Sequence, residues 1–257
     1  MVTISHIPID KYLIPIMVIK LSTHTIINVP TQIGCPIRCT FCISSKSKFV
    51  RNLTTAEISS LIDTVDTSRP FVISFTGEGE PLLNLRAVNA VMNRYDNFEN
   101  LLSYRICFSG FESVKLKSIR IPKRTKVDLQ FSMHSTCDTK RSELVHNTDS
   151  LKNIIFNIHK NSSKFNEIAI NYVLIKGFND SVYDRNNLIT MLDHSWIIKL
   201  NPLITENGSI EESPHKKSFE FGLKAFFENV KSFSKIGSSI SNGFYEELTY
   251  KLQPTLS

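Results

Sequence analysis

Six short runs rich in Ile, Val, Phe and Tyr recur at about residues 25–30, 70–75, 103–108, 127–132, 167–175 and 196–200. Segments of helical period lie between them. This alternation restricts the fold more than any other feature, because strands regularly separated by helices build βαβ units around a parallel sheet. Crossovers of that kind are right-handed, so the units either wind doubly or curl into a barrel. Thr54 with Glu57 three residues on is a capping-box pattern, and Ile58, Leu61, Ile62 and Val65 follow as an apolar stripe. Leu82, Leu85, Val88, Val91 and Met92 make a second stripe. Asp149 is placed to cap a third helix carrying Leu151, Ile154, Ile155 and Ile158. Leu188, Ile189, Met191 and Leu192 suggest a fourth, and Phe219, Phe221, Leu223, Phe226 and Phe227 a less periodic fifth. The stretch 111–118 carries the weakest helical pattern.

The chain has 257 residues, enough for one or two domains, and shows no internal repeat, low-complexity tract or linker. The expected organisation is one core over 25–232. A β extension over 1–24, including Val18-Ile19-Lys20-Leu21, precedes it, and a cover segment over 233–257 follows. Hydrophobic residues at 41% and charged residues at 21% exclude a disordered chain. A net charge of +6 permits an anionic partner without requiring one. The longest early apolar run, Tyr12 to Ile19, contains Pro15 between Lys11 and Lys20 and is far short of the ~20 residues of a membrane span. Asp10 precedes it and no small-residue cleavage site follows, so it is a poor signal peptide. The expectation is a soluble cytoplasmic protein with no membrane partner.

Three of the five cysteines, Cys35, Cys39 and Cys42, fall within eight positions at spacing C-x3-C-x2-C, in the loop after the first expected strand. An odd count clustered in this way is no disulfide framework. Thiolates are the usual ligands of iron–sulfur clusters, and three of them on a four-iron cluster leave one iron open for chemistry. The alternative is structural zinc. That metal wants four closed ligands, usually in paired C-x2-C units, and no second pair exists here; Cys107 and Cys137 stand alone.

With Phe41 before the last cysteine, this motif resembles the signature of radical S-adenosylmethionine (SAM) enzymes. Within that superfamily the chain is similar to the RlmN/Cfr-type RNA adenine methyl synthases. The stretches that carry the resemblance are Thr31-Gln32-Ile33-Gly34-Cys35 through Cys42, Arg51-Asn52-Leu53-Thr54 and Gly77-Glu78-Gly79-Glu80-Pro81-Leu82-Leu83-Asn84-Leu85. Weaker matches are Ser109-Gly110, Ser132-Met133-His134, Asn179-Asp180 and Lys199-Leu200-Asn201-Pro202. They occur in the family's order over about residues 25–205. The resemblance implies an α/β fold, a partial (β/α)6 barrel. The residue map agrees with it, since Cys35, Gly77, Ser109, Ser132, Lys176 and Asn201 each fall just past a different expected strand. Active sites of parallel α/β folds gather at those strand ends.

Residue roles follow from the resemblance, position by position. Cys35, Cys39 and Cys42 would hold a [4Fe–4S] cluster whose open iron takes the amino and carboxylate groups of SAM. Gly77, Glu78, Gly79 and Glu80 would receive the methionine ammonium; otherwise the run is a polar turn. Ser132 and His134, with Met133 between them, would contact ribose or carboxylate. Ser109 and Gly110 lie beside the ribose position, and Cys107 stands where the family commonly has serine. Asn201 matches a cofactor-contacting asparagine, although a gapless match puts Ile204 there. The implied chemistry is reductive cleavage of SAM to a 5′-deoxyadenosyl radical, which takes hydrogen from the substrate. The implied partners are a flavodoxin-type electron donor and an unidentified substrate, with the chain as a monomer.

Two departures count against methylation by the family's route. Asn28 occupies the position of one methyl-transfer cysteine, and no cysteine follows Cys137 to serve as the other. Only 34 residues precede Cys35, so the family's helical N-terminal domain is expected to be absent. Lys115, Lys117, Arg120, Lys123, Arg124 and Lys126 form a run without an acidic residue, and Lys46, Lys48 and Arg51 sit near the cluster motif. Such residues suit a phosphate-bearing substrate or RNA, or else a solvated face. Three readings follow. The first is a radical SAM enzyme on an unidentified, anionic or nucleotide-like substrate. The second, less favoured, is an RNA-modifying relative with altered chemistry. The third is a non-catalytic iron–sulfur or zinc accessory protein. Residues 205–215 and 233–250 are the expected cover of the barrel mouth.

Overall fold

The computed structural model describes residues 1–42, 44, 48–203 and 210–233. Lys46, Ile204 and most of the expected cover segments lie outside the described residues. Strands β1 (Val2–Ile9) and β2 (Tyr12–Lys20) form an antiparallel hairpin closed by a two-residue turn, with Asp10 at φ 52°. Two strands, rather than the single edge strand expected, thus precede the core. Strand β3 (Thr25–Val29) runs antiparallel to β2 and begins the parallel part of the sheet. Strands β4 (Gln32–Ile33) and β5 (Arg51–Asn52) make a small separate ribbon that brackets the cysteine loop.

Strands β6 (Phe71–Phe75), β7 (Leu101–Phe108), β8 (Lys126–Ser132), β9 (Ile168–Val173), β10 (Ile197–Asn201) and β11 (Val230–Ser232) then follow in parallel. The nine-stranded sheet has the order β1-β2-β3-β6-β7-β8-β9-β10-β11, sequential along the chain. The six expected strands are all present. β11 was not expected, because three residues with one hydrophobe carry no period.

Helix α1 (Thr55–Asp63) starts in the expected capping box: Glu57 N donates to Thr54 Oγ1 (3.2 Å) and Thr54 N donates to Glu57 Oε2 (2.7 Å). Helix α2 (Leu85–Tyr95) buries Val88, Val91 and Met92. The connection from β7 to β8 has only a 3-10 turn over Ser113–Ser118. Helix α3 (Asp138–Leu144) has no apolar stripe and was not expected; its buried residues are Arg141 and Leu144. Helix α4 (Leu151–Lys160) is capped by Ser150, not Asp149. Asp149 instead accepts from the backbone N and hydroxyl of Ser113. Helix α5 (Val182–Met191) follows, and α6 (Lys216–Lys224) buries Phe219 and Leu223. Phe221 points away and is 82% exposed, as a position two residues off an i, i+4 face must be.

Strand alternation divides the sheet cleanly. Tyr104, Ile106 and Phe108 on β7, Leu129 and Phe131 on β8, and Ile170 and Tyr172 on β9 enter the core shared with the helices. The residues between them, polar for the most part, belong to the opposite face of the same strands. A second, smaller apolar cluster of Ile37, Leu144, Val145, Val173, Ile175 and Leu203 packs against Cys35, Cys39 and Phe41.

Candidate active site at the strand ends

The cysteine loop is fixed from below by three sequence motifs that bond to one another. Gln32 Nε2 donates to Asn52 Oδ1 (2.7 Å), and Gln32 Oε1 accepts from Glu80 N (2.8 Å). Asn84 Nδ2 donates to the carbonyls of Thr31 and Leu53, both at 2.7 Å. Gly34 takes φ 73°, and a Cβ there would run into the backbone of Lys48 and Phe49. Gly79, at φ 101°, lies so close to Gln32 that a Cβ would stand 2.7 Å from the Gln32 Cβ. Both positions need glycine for conformation and for space.

Cys35, Cys39, Cys42 and Phe41 line one cavity of about 140 Å³ with Gly77, Gly79, Glu80, Cys107, Ser109, Ser132 and His134. Glu80 is 2% exposed, and its Oε2 accepts from both the backbone N (2.8 Å) and Oγ (2.7 Å) of Ser109. Burial pushes its carboxyl up to about 7 against those hydrogen bonds. Glu78 is equally buried but does not line the cavity; a backbone contact from Gly34 works against the effect of burial on its carboxyl. Burial raises it to about 7 as well.

His134 is held in a left-handed conformation, φ 56°, at the end of β8. Its Nδ1 accepts from Val173 N (3.2 Å), which leaves Nε2 as the protonated nitrogen. Burial pushes the ring down to about 3, so it is neutral in the folded protein. The Phe41 ring meets it edge-on at 4.9 Å. Asn179 ties this strand end to the next: its Nδ2 donates to His134 O (2.7 Å) and Val173 O (2.8 Å), and its Oδ1 accepts from Ile175 N (2.6 Å).

Met133 does not join Ser132 and His134. Alternation turns its side chain into the main core, where it is fully buried. Asn201 also stands outside the cavity lining, and its Nδ2 donates to Asn171 Oδ1 (3.2 Å). Cys107 lies at the cavity on β7, its thiol raised by burial. Cys137 is exposed beside Thr139 at the start of α3.

Arg141 is a central residue that no motif announced. It is 1% exposed and donates to the carbonyls of Met133 (2.9 Å), Ser132 (3.1 Å) and Ser109, and to Thr148 Oγ1. One guanidinium thereby gathers the ends of β7 and β8 and brings a positive charge toward Cys39, which its field stabilises as thiolate. The only sequence signal was a lone arginine in a helix without an apolar stripe.

The donor set suits a cluster. Burial, reinforced by Cys42 and Glu80, raises the Cys35 thiol to about 11, and burial raises Cys39 further. Among the described residues no trio of His, Cys, Asp or Glu is arranged to hold one metal ion. A cluster does not ask for that, because each thiolate takes a different iron. The basic run lies elsewhere. Lys117 and Arg120 line an outer groove of about 990 Å³ with Arg86 on α2, which shares no lining residue with the cavity.

A parallel partial barrel with a three-cysteine loop at its strand ends defines a member of the radical SAM superfamily, enzymes that work with a [4Fe–4S] cluster and SAM. The chain belongs to the 4Fe-4S single cluster domain family, whose model matches residues 31–166. It is 30% identical over 178 residues to a probable dual-specificity RNA methyltransferase RlmN of Thermosipho melanesiensis, covering 64% of this chain and 51% of that protein. To the corresponding protein of Thermotoga petrophila it is 30% identical over 198 residues, with 69% and 55% covered. The chain therefore spans about half the length of the curated relatives it matches.

In fold it is similar to a radical SAM methyltransferase from Sphaerobacter thermophilus. The TM-score is 0.78 at 21% identity, over 93% of this chain and 79% of that one. A queuine lyase from Clostridium spiroforme, bound to SAM and queuine, gives 0.56 at 12% identity over 90% and 94%. No helix among the described residues is long and apolar enough to cross a membrane.

Proposed function

We propose that this chain reductively cleaves SAM and takes a hydrogen atom from an unidentified substrate, anionic or nucleotide-like. The observation that carries this reading is the meeting of Cys35, Cys39 and Cys42 with Gly77, Gly79, Glu80 and His134 on one cavity. The three thiolates would hold the cluster. The Gly77 and Gly79 backbone with Glu80 would take the methionine ammonium, a charge-assisted contact that favours ionised Glu80. His134 Nε2 and Ser132 would donate to ribose or carboxylate, with Ser109 and Cys107 beside them. When bound by Cys35, Cys39 and Cys42, a reduced cluster would supply the one electron needed for cleavage of SAM to methionine and a 5′-deoxyadenosyl radical. Ile37, Val145 and Phe41 form the apolar part of the cavity wall.

Methylation through paired cysteines is not part of this reading. Asn28 is buried on β3 at the position where the resemblance puts one of the methyl-transfer cysteines. A flavodoxin-type reductase would supply the electron to a monomeric, cytoplasmic protein. The core would run over 25–232. The second reading, an RNA-modifying relative with altered chemistry, is favoured by the exposed basic groove and the RlmN relatives. It requires salt-dependent RNA binding.

The test is anaerobic reconstitution with iron and sulfide, followed by SAM and dithionite, with chromatography of the products. The expected result is 5′-deoxyadenosine without S-adenosylhomocysteine. Neither product from a cluster-loaded chain, with RNA and cell-extract metabolites added in turn, would overturn the reading.

A further inference from the structure

Below the cavity, two cations stand on the face of the sheet opposite the main core. Arg105 on β7 and Lys199 on β10 come from strands separated by β8 and β9, yet both reach the Gln130 amide on β8. The Gln130 oxygen faces Lys199 Nζ at 2.6 Å and Arg105 Nε at 2.7 Å, because the opposite orientation would set an NH2 group against two donors.

Neither cation has an ion pair among the described residues. Asp128, Arg105's register partner, is engaged by Ser103 Oγ (2.9 Å) and Asn166 Nδ2 (2.9 Å). Gln130 is buried, whereas Arg105 and Lys199 keep partial solvent access. One neutral oxygen serves both cations, so an anion placed between them would gain two charge-assisted contacts. The groups acting on Lys199 are Arg105, Cys107, Lys231 and Glu167, and burial with Arg105 beside it pushes the ammonium down to about 8. Arg105 and Gln130 lie two residues before Cys107 and Ser132, which line the cavity. Two residues of strand are ~6–7 Å, so the cations sit one side-chain layer beneath it.

We propose that Arg105 and Lys199 form an oxyanion clamp in the barrel lumen, which seats a phosphate or carboxylate group of the substrate beneath the cluster cavity. The inference rests on the proposed radical chemistry only for the word substrate; the anion site itself does not require it. The clamp anchors one end of a small molecule and leaves its other end facing the cavity. Arg105 offers a planar fork and Lys199 a point charge, a pairing suited to a tetrahedral or planar oxyanion.

The test uses the full, cluster-reconstituted chain without SAM, with sulfate as the probe because its charge is constant between pH 6.5 and 9.5. Sulfate replaces chloride at fixed ionic strength, and the thermal midpoint is followed. A saturable rise is expected at pH 6.5, with an apparent affinity at least about fivefold weaker at pH 9.5. Lys199→Arg, which stays charged, should keep the rise and lose the pH dependence. Lys199→Gln with Arg105→Gln should lose the saturable rise while retaining the far-UV spectrum. Methyl phosphate and acetate as separate probes then distinguish a phosphate from a carboxylate anchor. No saturable rise with any of the three anions, or one that survives in the double variant, overturns the proposal. Release of 5′-deoxyadenosine by the unmodified chain is scored separately, so the anion site and the radical reading fail independently.

Discussion

Gln32 Oε1 accepts the backbone N–H of Glu80 at 2.8 Å, across 48 residues of sequence, and this bond sets the height of the Gly77–Glu80 loop over the cysteine loop. The same side chain reaches Asn52 through its Nε2. Gln32 therefore ties three separate stretches of sequence together, and each is a bonding partner of the others. Gln32→Ala would leave a buried N–H without an acceptor, at a cost of about 1–3 kcal/mol. The expected outcome is a protein that still loads iron but binds SAM more weakly. Urea unfolding checks the first part and equilibrium dialysis of SAM the second. Gly79→Ala should do the same more severely, because its Cβ meets Gln32 and its φ of 101° is strained for alanine.

A contrast between two cysteines tests the cluster assignment. Cys39 lines the cavity, and Cys137 is exposed at the start of α3. Cys39→Ala is expected to abolish iron loading and product formation, whereas Cys137→Ala leaves both intact. Iron and sulfide analysis after anaerobic reconstitution decides it, and loading retained in Cys39→Ala would remove that cysteine from the ligand set.

The strands were legible because their core-facing positions repeat Ile, Val and Phe at every second residue, as in Tyr104, Ile106 and Phe108. Elements whose packing follows another logic were not. Helix α3 buries an arginine, and β11 is three residues long. Phe221 matches core residues in composition but not in position, since it lies two residues off the buried Phe219–Leu223 face of α6. At the site, the cysteines stand out by their spacing and Gly77–Glu80 by the family resemblance alone, and the fold brings cysteines and loop to one cavity. Strand alternation would also have separated Met133 from Ser132 and His134. Nothing local could show that Glu80 is held by Ser109, or that Arg141 joins two strand ends, since both relations are made only by folding.

Arg141 carries a stability prediction of its own. Its guanidinium satisfies three carbonyls and a hydroxyl at 1% exposure. Arg141→Met is expected to destabilise the chain by about 2–4 kcal/mol, from acceptors left buried without donors. Lysine cannot reproduce a planar fork over several acceptors, so Arg141→Lys should recover only part of the loss. Urea unfolding of the metal-free proteins at neutral pH provides the comparison. Equal stability of Arg141→Met and the parent would show that the guanidinium is not what joins the ends of β7 and β8.

His134 predicts a dependence on pH whose direction follows from its burial. The folded ring is held down to about 3, while the unfolded ring titrates near the usual 6.5. Between those values the unfolded chain binds a proton that the folded chain does not. The contribution to stability is therefore complete above pH 6.5 and is lost as pH falls toward 3. Each pH unit in that window costs about 1.4 kcal/mol. Glu78 and Glu80 act in the opposite sense, since burial raises both, and they would mask the effect in the parent protein alone. Comparison with His134→Asn removes them, because both proteins carry the same carboxylates and asparagine tolerates the left-handed backbone. Relative to the variant, the parent should lose about 3 kcal/mol between pH 6.5 and pH 4 in urea unfolding. A constant difference across that range would mean that the folded ring takes up its proton as readily as the unfolded one.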